Sequence, residues 1–478
     1  MTRGGTTGRF GRVLVWMRRA LRVADNGPLW NALRDGDEVF PCVTSRDGWC
    51  DNPGTPRHRF LQEAVGDLES SLRRMGSALF LIDGAPLEQF PRAAASIGAE
   101  ALFVGDPAGP AERRSDAALA RALSGIGCRF ISVPDSGILG DDDILTAAGT
   151  PYTVFTPYKR AWLLRSVSAP PAYPVDVRPL KSDLPAGPIA PVGVTRGGGQ
   201  KGGETAALYR LGEFSRNGIG AYGNLRDLPG VDGTSRLSAD LANGTISART
   251  VFHAARQARS AAGSKAGADA FIGELVWREF YRQILRHFPR VATGPFREEY
   301  AGLEWSRKRT HFNAWCEGRT GYPLVDAGMR QLNAEGWMHN RVRMVAASFL
   351  TKDLHIDWRW GERYFLERLV DADPASNNGG WQWSAGTGTD AAPYFRVFNP
   401  VAQGRRCDPA GVYVRRYLPE LANVPGGFIH SPWEMGGAAE RDASFRVGKD
   451  YPPPIVDHAG ERSIALTMYR KGRRRTGA

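Results

Sequence analysis

The chain has 478 residues, of which 42% are hydrophobic and 23% charged, and this fits a globular protein of roughly two to four domains with room for a deep buried site. Its formal net charge of +12 suits a polyanionic partner such as DNA, although a basic surface can also serve solubility alone. The five cysteines lie at scattered positions without metal-ligand spacing, so we expect reduced thiols, a cytoplasmic location and no metal site.

The first part of the chain alternates short apolar runs with amphipathic segments. Strands are predicted at 13–16, 39–43, 78–82, 101–104 and 130–133, and helices at 59–75, 87–97 and 112–123. This alternation predicts an α/β domain at 9–134 built on a doubly wound parallel sheet. No G-x-G-x-x-G motif follows the first strand, which disfavours a dinucleotide site of the usual kind there.

The remaining chain divides into three predicted regions. Residues 135–204 are rich in proline and glycine and are predicted to form a long, partly flexible linker between domains. From 205 to 457 the pattern is helical and rich in tryptophan, which predicts a large all-α domain. The basic segment 458–478 is predicted to be a solvated, mobile tail. We find neither a signal-peptide pattern nor an apolar run long enough for a membrane span.

The most informative stretch is residues 371–400, which read DADPASNNGGWQWSAGTGTDAAPYFRVFNP. This composition is poor for a core helix or a strand, and it predicts a loop wrapped around a large polar aromatic ligand. The stretch resembles the flavin-binding signature of the photolyase/cryptochrome family, in particular that of bacterial class I photolyases acting on cyclobutane pyrimidine dimers. The resemblance is dense from 272 to 419 and weaker toward the N-terminus. It implies FAD as cofactor, dimer-containing DNA as partner, and a monomer.

The segment GTSRLS, residues 233–238, combines glycine with hydroxyl side chains, which could hold a phosphate or could cap a helix. The family resemblance favours the phosphate, because these positions match the loop that holds the FAD pyrophosphate. It assigns to the cofactor the residues Tyr222, Thr234, Ser235, Arg236, Leu237 and Ser238.

A second cluster of candidate binding residues is predicted to share one helix face. Glu274 lies three residues after Phe271, and Trp277 and Arg278 lie three and four residues after Glu274. Without the resemblance, a helix face with a local salt bridge would explain it. The resemblance assigns Phe271 and Arg278 to the cofactor. It makes Glu274 a hydrogen-bonding partner of the damaged pyrimidines and Trp277 one wall of the lesion pocket.

The segment GWMHNRVRMVAASF places Asn340, Arg343 and Met344 on one helix face. Arg343 could pair with Asp371 or Asp373, as in many buried ion pairs. In the family, the matching pair flanks the flavin.

The resemblance places Asn340, Arg341 and Met344 at the mouth of the lesion pocket. The (6-4) photolyases have a second histidine after the one that matches His339. Asn340 stands there in this chain, which argues against (6-4) repair.

The signature stretch itself carries further expected roles. Asp371 and Asp373 are expected to accept hydrogen bonds from the flavin, and Asn377 matches the residue placed against flavin N5. Trp383 matches the second wall of the lesion pocket. The electron-transfer triad of the family is matched, from the flavin outward, by Trp381, Trp358 and Trp305. Three tryptophans in an arbitrary sequence would more often be core residues.

Arg226 and Gln403 match positions that contact the lesion-bearing strand. Cys42, Arg57 and Asp106 align with positions that hold a deazaflavin antenna in some members. DPAGPAERR lacks the Glu-Pro-Tyr of those members, and Ala242 stands where a lysine would help. The antenna could therefore be 8-hydroxy-deazaflavin, methenyltetrahydrofolate, another chromophore or none.

The resemblance as a whole implies a light-dependent repair lyase that splits cyclobutane pyrimidine dimers by electron transfer from photoexcited reduced FAD. The main alternative is a cryptochrome-like blue-light photoreceptor with little repair activity. An ordinary flavin oxidoreductase would need a nicotinamide or substrate motif, which we do not find. A helical nucleic-acid-binding module without chemistry would explain the charge but not the stretch from Asn377 to Trp383.

Overall fold

The computed structural model describes residues 10–45, 54–171 and 199–475. The chain forms two compact units. The first comprises residues 1–149, 160–219 and 235–279, and the second comprises residues 150–159, 220–234 and 280–478. The predicted domain boundaries at 134/135, 204/205 and 457/458 stay predictions.

The first unit contains a five-stranded parallel sheet with strand order β3-β2-β1-β4-β5. The strands are β1 (Phe10–Trp16), β2 (Gly36–Thr44), β3 (Phe80–Ile82), β4 (Ala101–Gly105) and β5 (Arg129–Val133). The central strand pairs on both sides, since Val13 is opposite Val39 in one neighbour and Ala101 in the other. The predicted α/β fold class, with a parallel sheet and a largely helical remainder, is confirmed.

Four helices connect these strands: α1 (Gly27–Asp35), α2 (Pro56–Arg74), α3 (Pro86–Ile97) and α4 (Pro110–Ser124). Each has proline in its first turn, where the missing N–H is not needed. The side chains of Asn26 and Thr55 cap α1 and α2, because they accept hydrogen bonds from the backbone N–H groups of Leu29 and His58. Helix α1 was not predicted, because nine residues offer little periodicity.

Most of the remaining described chain is helical. The helices are α5 (Phe155–Leu163), α6 (Glu204–Glu213), α7 (Tyr222–Leu225), α8 (Ser238–Asn243), α9 (Ala248–Ala258), α10 (Lys265–His287), α11 (Arg309–Glu317), α12 (Pro323–Glu335), α13 (Asn340–Ser348), α14 (Trp358–Arg368), α15 (Pro374–Ala385), α16 (Pro400–Cys407), α17 (Val412–Tyr417), α18 (Gly437–Asp442) and α19 (His458–Arg475). Two π-helical turns occur at Phe214–Gly218 and Phe349–Asp353. Within the described ranges, no helix is both long enough and apolar enough to cross a membrane.

The loop between β1 and α1 is fixed by buried ion pairs inside the first unit. Arg22 lies 2.7 Å from Asp135, with both side chains 2% exposed. Arg22 also donates to the carbonyl oxygen of Gly244 at 3.1 Å, and Asp25 pairs with Arg249 of α9. These contacts join the end of the sheet to α8 and α9 within the same unit.

The predicted ligand-wrapping loop at 371–400 was wrong for its first half, because residues 374–385 form helix α15. Asp373 caps the helix by accepting from Ser376 N at 2.7 Å, Pro374 begins it, and Gly386 ends it in the left-handed conformation with φ of 79°. The two glycines inside α15 lower its helix propensity, but Gly379 is required by packing. A Cβ there would lie 2.1 Å from the ring of Tyr281.

The predicted solvated tail was also wrong over its described part, which is helix α19. Tyr469 is fully buried and packs against Tyr300 and Tyr394 with ring centroids 5.6 and 5.9 Å apart. His458 pairs with Asp353 at the start of the helix. The many basic residues of this segment led to the prediction of an exposed tail, although the helix also carries an apolar stripe. In the predicted linker, residues 155–163 are helical, and residues 172–198 lie outside the described part of the chain.

Candidate functional site

In the first unit, the predicted phosphate loop ends at the start of α8. Arg236 has a left-handed backbone with φ of 54°, and Leu237 N approaches Ser235 Oγ at 3.3 Å. Leu237 is buried and anchors the loop, whereas Ser238 is exposed and Ser235 and Arg236 are half-buried. The loop therefore turns its hydroxyl and charged side chains outward from an apolar anchor.

The predicted face of α10 exists as a helix face in the same unit. Glu274 and Trp277 are half-buried, while their neighbours Leu275 and Val276 are buried. Phe271 packs against Phe214, with ring centroids 4.8 Å apart. This places a carboxylate and an indole on an accessible stripe of an otherwise buried helix.

Arg278 is held by the scaffold of the first unit. Its guanidinium donates to the carbonyl oxygens of Ser136 at 2.7 Å and Leu241 at 3.2 Å. The next residue, Glu279, accepts from the backbone N–H groups of Ile138 and Leu139. The arginine therefore fixes the segment after β5 and the C-terminal part of α8, and its predicted cofactor contact stays a prediction.

In the second unit, Arg343 pairs with Asp371 and not with Asp373. Arg343 Nη2 lies 2.7 Å from Asp371 Oδ2, and Arg343 Nε donates to the carbonyl oxygen of Met338 at 2.7 Å. The Asp371 side chain is only 3% exposed. Its other oxygen, Oδ1, is buried without a hydrogen-bond partner among the described residues. A buried carboxylate oxygen without a donor is costly, so this atom is suited to accept a hydrogen bond from a ligand.

The two asparagines of α15 are oriented by residue 362 of α14. Asn377 Nδ2 donates to the carbonyl oxygen of Glu362 at 3.0 Å, which leaves the amide oxygen of Asn377 as an acceptor. Asn378 Nδ2 donates to the Glu362 carboxyl at 2.8 Å and to Val291 O at 3.0 Å. Burial raises the pKa of Glu362 to about 7, although the Asn378 hydrogen bond and the nearby Arg359 lower it.

The three predicted electron-transfer tryptophans lie in the second unit with graded burial. Trp381 is 3% and Trp358 2% exposed, while Trp305 is only half-buried. A Cβ on Gly361, one turn after Trp358, would lie 2.1 Å from the Trp381 ring. Ser306, next to Trp305, donates to the carbonyl oxygen of His355 at 2.6 Å. The segments that carry the three rings are therefore in contact, and the outermost predicted ring has the most solvent exposure.

The residues predicted for the lesion mouth begin helix α13. His339 caps the helix, since its Nδ1 accepts from Arg341 N at 3.2 Å. Asn340 is exposed, and its amide lies 4.0 Å from the sulfur of Met344. Arg341 is bound to Asp227 at 2.7 Å.

Three further predicted DNA-binding residues and the tyrosine of α7 belong to the same unit. The Trp383 ring lies 6.5 Å from that of Phe398. The guanidinium of Arg226 lies 5.7 Å from the centroid of the Tyr222 ring. Gln403 is half-buried on α16. The predicted residues belong to three separate segments, at α7, α15 and α16, which a sequence alone does not place in one unit.

Comparisons with known proteins match both parts of the chain. Residues 271–471 match the FAD binding domain of DNA photolyase, and residues 13–175 match the DNA photolyase model. A protein of Escherichia coli strain K12 named deoxyribodipyrimidine photo-lyase is 39% identical, over 96% of this chain and 99% of its own. The chain belongs to the photolyase/cryptochrome family.

Solved structures of this family have the same fold. A class III photolyase from Agrobacterium tumefaciens has a TM-score of 0.88 at 36% identity, covering 98% of each chain. A cryptochrome from Synechocystis has a TM-score of 0.87 at 30% identity, covering 96% of this chain and 99% of its own. The structural neighbours therefore include both a photolyase and a cryptochrome.

The positions aligned with the family's antenna site lie in the first unit and have structural contacts there. Cys42 is fully buried in the sheet core, and its thiol donates to Val15 O at 3.3 Å. Asp106 Oδ1 accepts from Asp135 N, Ser136 N and Ser136 Oγ at 2.9, 3.0 and 2.9 Å. Arg57 is half-buried in the first turn of α2. The antenna assignment stays a prediction.

Sequence reasoning missed Asp227 and Glu362, which hold two of the predicted site residues. Asp227 could have been suspected because it follows Arg226 in a loop next to predicted binding residues. Glu362 gave no signal, because its contact with Asn378 joins two helices. Within the described ranges, no group of three or more histidine, cysteine, aspartate or glutamate side chains could hold a metal ion.

Proposed function

We propose that the chain is a light-dependent deoxyribodipyrimidine photo-lyase that binds FAD and splits cyclobutane pyrimidine dimers in DNA. The observation that carries the proposal is the Arg343–Asp371 pair, whose buried carboxylate keeps one oxygen without a donor among the described residues. Such an arrangement suits a ligand that brings N–H or O–H groups. Relatives named deoxyribodipyrimidine photo-lyase at 37–40% identity over nearly the whole chain support the same conclusion.

The residues of the second unit fit a flavin on three counts. Asp371 Oδ1 offers an acceptor, Arg343 supplies a cation beside it, and the amide oxygen of Asn377 offers a second acceptor. Bound and reduced FAD would supply the electron that opens the cyclobutane ring when blue or near-ultraviolet light excites it. If the amide oxygen of Asn377 accepts a hydrogen bond from the N5–H group of the flavin, it favours the flavin forms that are protonated at N5.

The assignment of the remaining cofactor residues follows the resemblance. Ser235, Arg236 and Ser238 would bind the pyrophosphate through hydroxyl, guanidinium and backbone N–H groups. The other predicted cofactor residues would contact the cofactor or support the residues that contact it. They are Tyr222, Thr234, Leu237, Phe271, Arg278 and Asp373. Asp373 already caps α15, so its contribution is to fix the helix that carries Asn377.

Enzymes that act on the bases of a duplex, including photolyases, first extrude the target base from the stack. Extruding a damaged base costs less free energy than extruding an undamaged, paired one. Trp277 and Trp383 would stack against the extruded pyrimidines, since aromatic rings bind bases without reading sequence. Glu274 and Asn340 would hydrogen-bond the pyrimidine edges, and Met344 would give an apolar contact. Hydrogen bonds aimed at developing charge in a dry site stabilise the radical anion of the dimer.

Arg226, Arg341 and Gln403 would position the strand through phosphate contacts, which carry affinity but no sequence information. A substrate on the chromosome implies action in the cytoplasm, and we expect a monomer. An antenna chromophore, 8-hydroxy-deazaflavin or methenyltetrahydrofolate, would bind the α/β part near Arg57 and Asp106. The α/β domain is proposed to span 9–134 and the helical domain 205–457, with the linker at 135–204 between them.

The tryptophans provide an outward route for an oxidising equivalent. A hole formed on Trp381 would pass to Trp358 and then to the half-buried Trp305, where an external donor can refill it. Indole is readily oxidised and its rings are large, so short steps between rings suffice. This route would keep the cofactor reduced and is separate from repair itself.

The direct test is an illuminated repair assay. Purified, chemically reduced protein is incubated with an oligonucleotide containing one thymine dimer, in light and in the dark, and repair is read by restored cleavage at a restriction site across the dimer. A matched oligonucleotide with a (6-4) photoproduct is the control. We expect light-dependent repair of the dimer alone. Flavin binding without repair would overturn the proposal and favour the cryptochrome-like photoreceptor, which resemblance to the Synechocystis cryptochrome keeps as the second candidate.

A further inference from the structure

Asp227 holds Arg341 in an ion pair at the surface assigned to DNA. Arg341 Nη2 lies 2.7 Å from Asp227 Oδ2, and the two side chains are 18% and 45% exposed. Arg341 is the second residue of α13, where the cap from His339 fixes its backbone. The guanidinium that would meet the DNA strand is therefore already bound to a carboxylate.

The loop that carries Asp227 is braced inside the second unit. It follows α7, where Arg226 lies over the ring of Tyr222. Further along it, a Cβ on Gly230 would lie 3.2 Å from Asp408 Oδ1, just after α16. Leu228 N donates to the carbonyl oxygen of Leu225 at 3.0 Å, so a backbone hydrogen bond closes the turn that carries Asp227.

The ion pair lies beside the end of α16. Burial raises the pKa of the Cys407 thiol to about 12, and among the smaller influences Arg341 lowers that pKa while Asp227 raises it. Helix α16 also carries the half-buried Gln403 and the exposed Arg406. The pair therefore sits among residues of the proposed strand-binding surface and not at a remote edge.

We propose that Asp227 lowers the affinity of this surface for DNA by holding Arg341 in an ion pair. Non-specific affinity depends on how many phosphates the protein neutralises, with a salt slope of about 0.9 for each. A closed Asp227–Arg341 pair removes one cation from that number and places a carboxylate where a phosphate would approach. An ion pair this exposed is weak, so it can open for a phosphate, but opening it costs free energy whether the DNA is damaged or not.

The preference for damaged DNA comes from other residues. An extruded dimer would contact Asn340, next to Arg341 on α13, and the ring of Trp383, and these contacts do not depend on the ion pair. The preference should therefore persist when the pair is removed. The inference rests on the proposed function, because it presumes binding of dimer-containing DNA.

The test is Asp227→Asn in the full chain, in the dark, with fluorescence anisotropy on two duplexes of one sequence, one undamaged and one with a single thymine dimer. We expect affinity for each duplex to rise about two- to fivefold and each salt slope to steepen by about 0.9. The ratio of the two affinities should change less than about twofold.

Two controls separate this mechanism from others. Asp442→Asn, at an exposed position of α18, makes the same change in net charge and should leave the affinity for both duplexes unchanged. In an Arg341→Gln background, Asp227→Asn should have no effect, because the pair acts as a unit.

Three outcomes overturn the inference. Equal weakening of both duplexes would make Asp227 a support for Arg341, and an effect that persists without Arg341, or that Asp442→Asn reproduces, would reduce it to general charge. Failure of the proposed function looks different, since the unaltered protein would then not prefer the damaged duplex.

Discussion

Each unit contains an arginine–aspartate pair with a buried carboxylate, and the two pairs differ in how completely their polar atoms are satisfied. In the first unit, Arg22 donates to Asp135 and to the carbonyl oxygens of Ala24, Gly244 and Asp25. In the second unit, Asp371 receives Arg343 on one oxygen and keeps the other without a partner among the described residues. A buried pair whose hydrogen bonds all end within the protein holds the fold, whereas a pair with an open acceptor is suited to a ligand.

The largest expected effect is on the closed pair. Arg22→Ala leaves Asp135 buried without its cation, and we expect the free energy of unfolding to fall by about 3–5 kcal/mol. Urea denaturation followed by circular dichroism measures it, with Arg34→Ala, at an exposed pair with Asp35, as the control. A loss below that of the control would mean that the closed pair is not a determinant of the fold.

The open pair should respond in the opposite way. Asp371→Asn keeps the size of the side chain but removes the charged acceptor, and we expect FAD affinity to fall about 10- to 100-fold. The free energy of unfolding of the FAD-free protein should change much less than in Arg22→Ala. Fluorescence titration with FAD and urea denaturation of the same samples give the two numbers. Equal destabilisation by both substitutions would erase the distinction between the pairs.

Trp381→Phe tests whether the aromatic core of the second unit has a function beyond packing. The substitution keeps an aromatic ring beside Phe365 and Trp315, which lie 5.0 and 6.0 Å from Trp381 by ring centroids. We expect photoreduction of bound, oxidised flavin to be nearly abolished, while chemically reduced protein repairs dimers at close to the normal rate. Trp433→Phe, at a ring that packs on Tyr322, is the control. Unchanged photoreduction would refute the assigned route.

The smallest expected effect concerns Glu362, whose burial raises its pKa to about 7 from an ordinary value of 4.5. Because the folded protein holds this proton more tightly than the unfolded chain, the group favours folding at low pH. That contribution is lost as the pH rises from about 4.5 to about 7. Glu362→Gln should therefore leave stability near pH 4.5 almost unchanged and raise it at pH 8 by about 1–3 kcal/mol relative to the parent.

Urea denaturation of both proteins across this pH range checks the prediction. Glutamine can still accept the hydrogen bond from Asn378, so the comparison isolates the charge. A stability difference that does not depend on pH would show that Glu362 does not titrate in this window.

The sequence predicted the sheet well because its strands are short, continuous apolar runs, as in 101–104. Helix α1 was not predicted, because it is short. A loop was predicted where α15 lies, because the asparagines and glycines of that helix serve tertiary contacts and have low helix propensity. Gly379 is needed by Tyr281, a residue about a hundred positions earlier. Helical propensity is a local property and cannot record such a constraint.

The site was predicted through resemblance more than through chemistry. Arg343 was left with two possible partners, and only the fold selects Asp371 over Asp373. The position of Asp227 after Arg226 hints at a binding surface, but nothing in the sequence pairs it with Arg341, which lies more than a hundred positions away. Residue types can show that a ligand site exists, but which atoms remain open depends on contacts made by distant segments.

The central claim is that the open acceptor of Asp371 belongs to a flavin site, and titration of the FAD-free protein with FAD tests it most directly. We expect saturable binding of one FAD per chain, a yellow product with structured absorption in the blue, and marked weakening in Asp371→Asn but not in Asp442→Asn. A folded protein that stays colourless after reconstitution, or that binds FAD equally well without Asp371, would contradict the account.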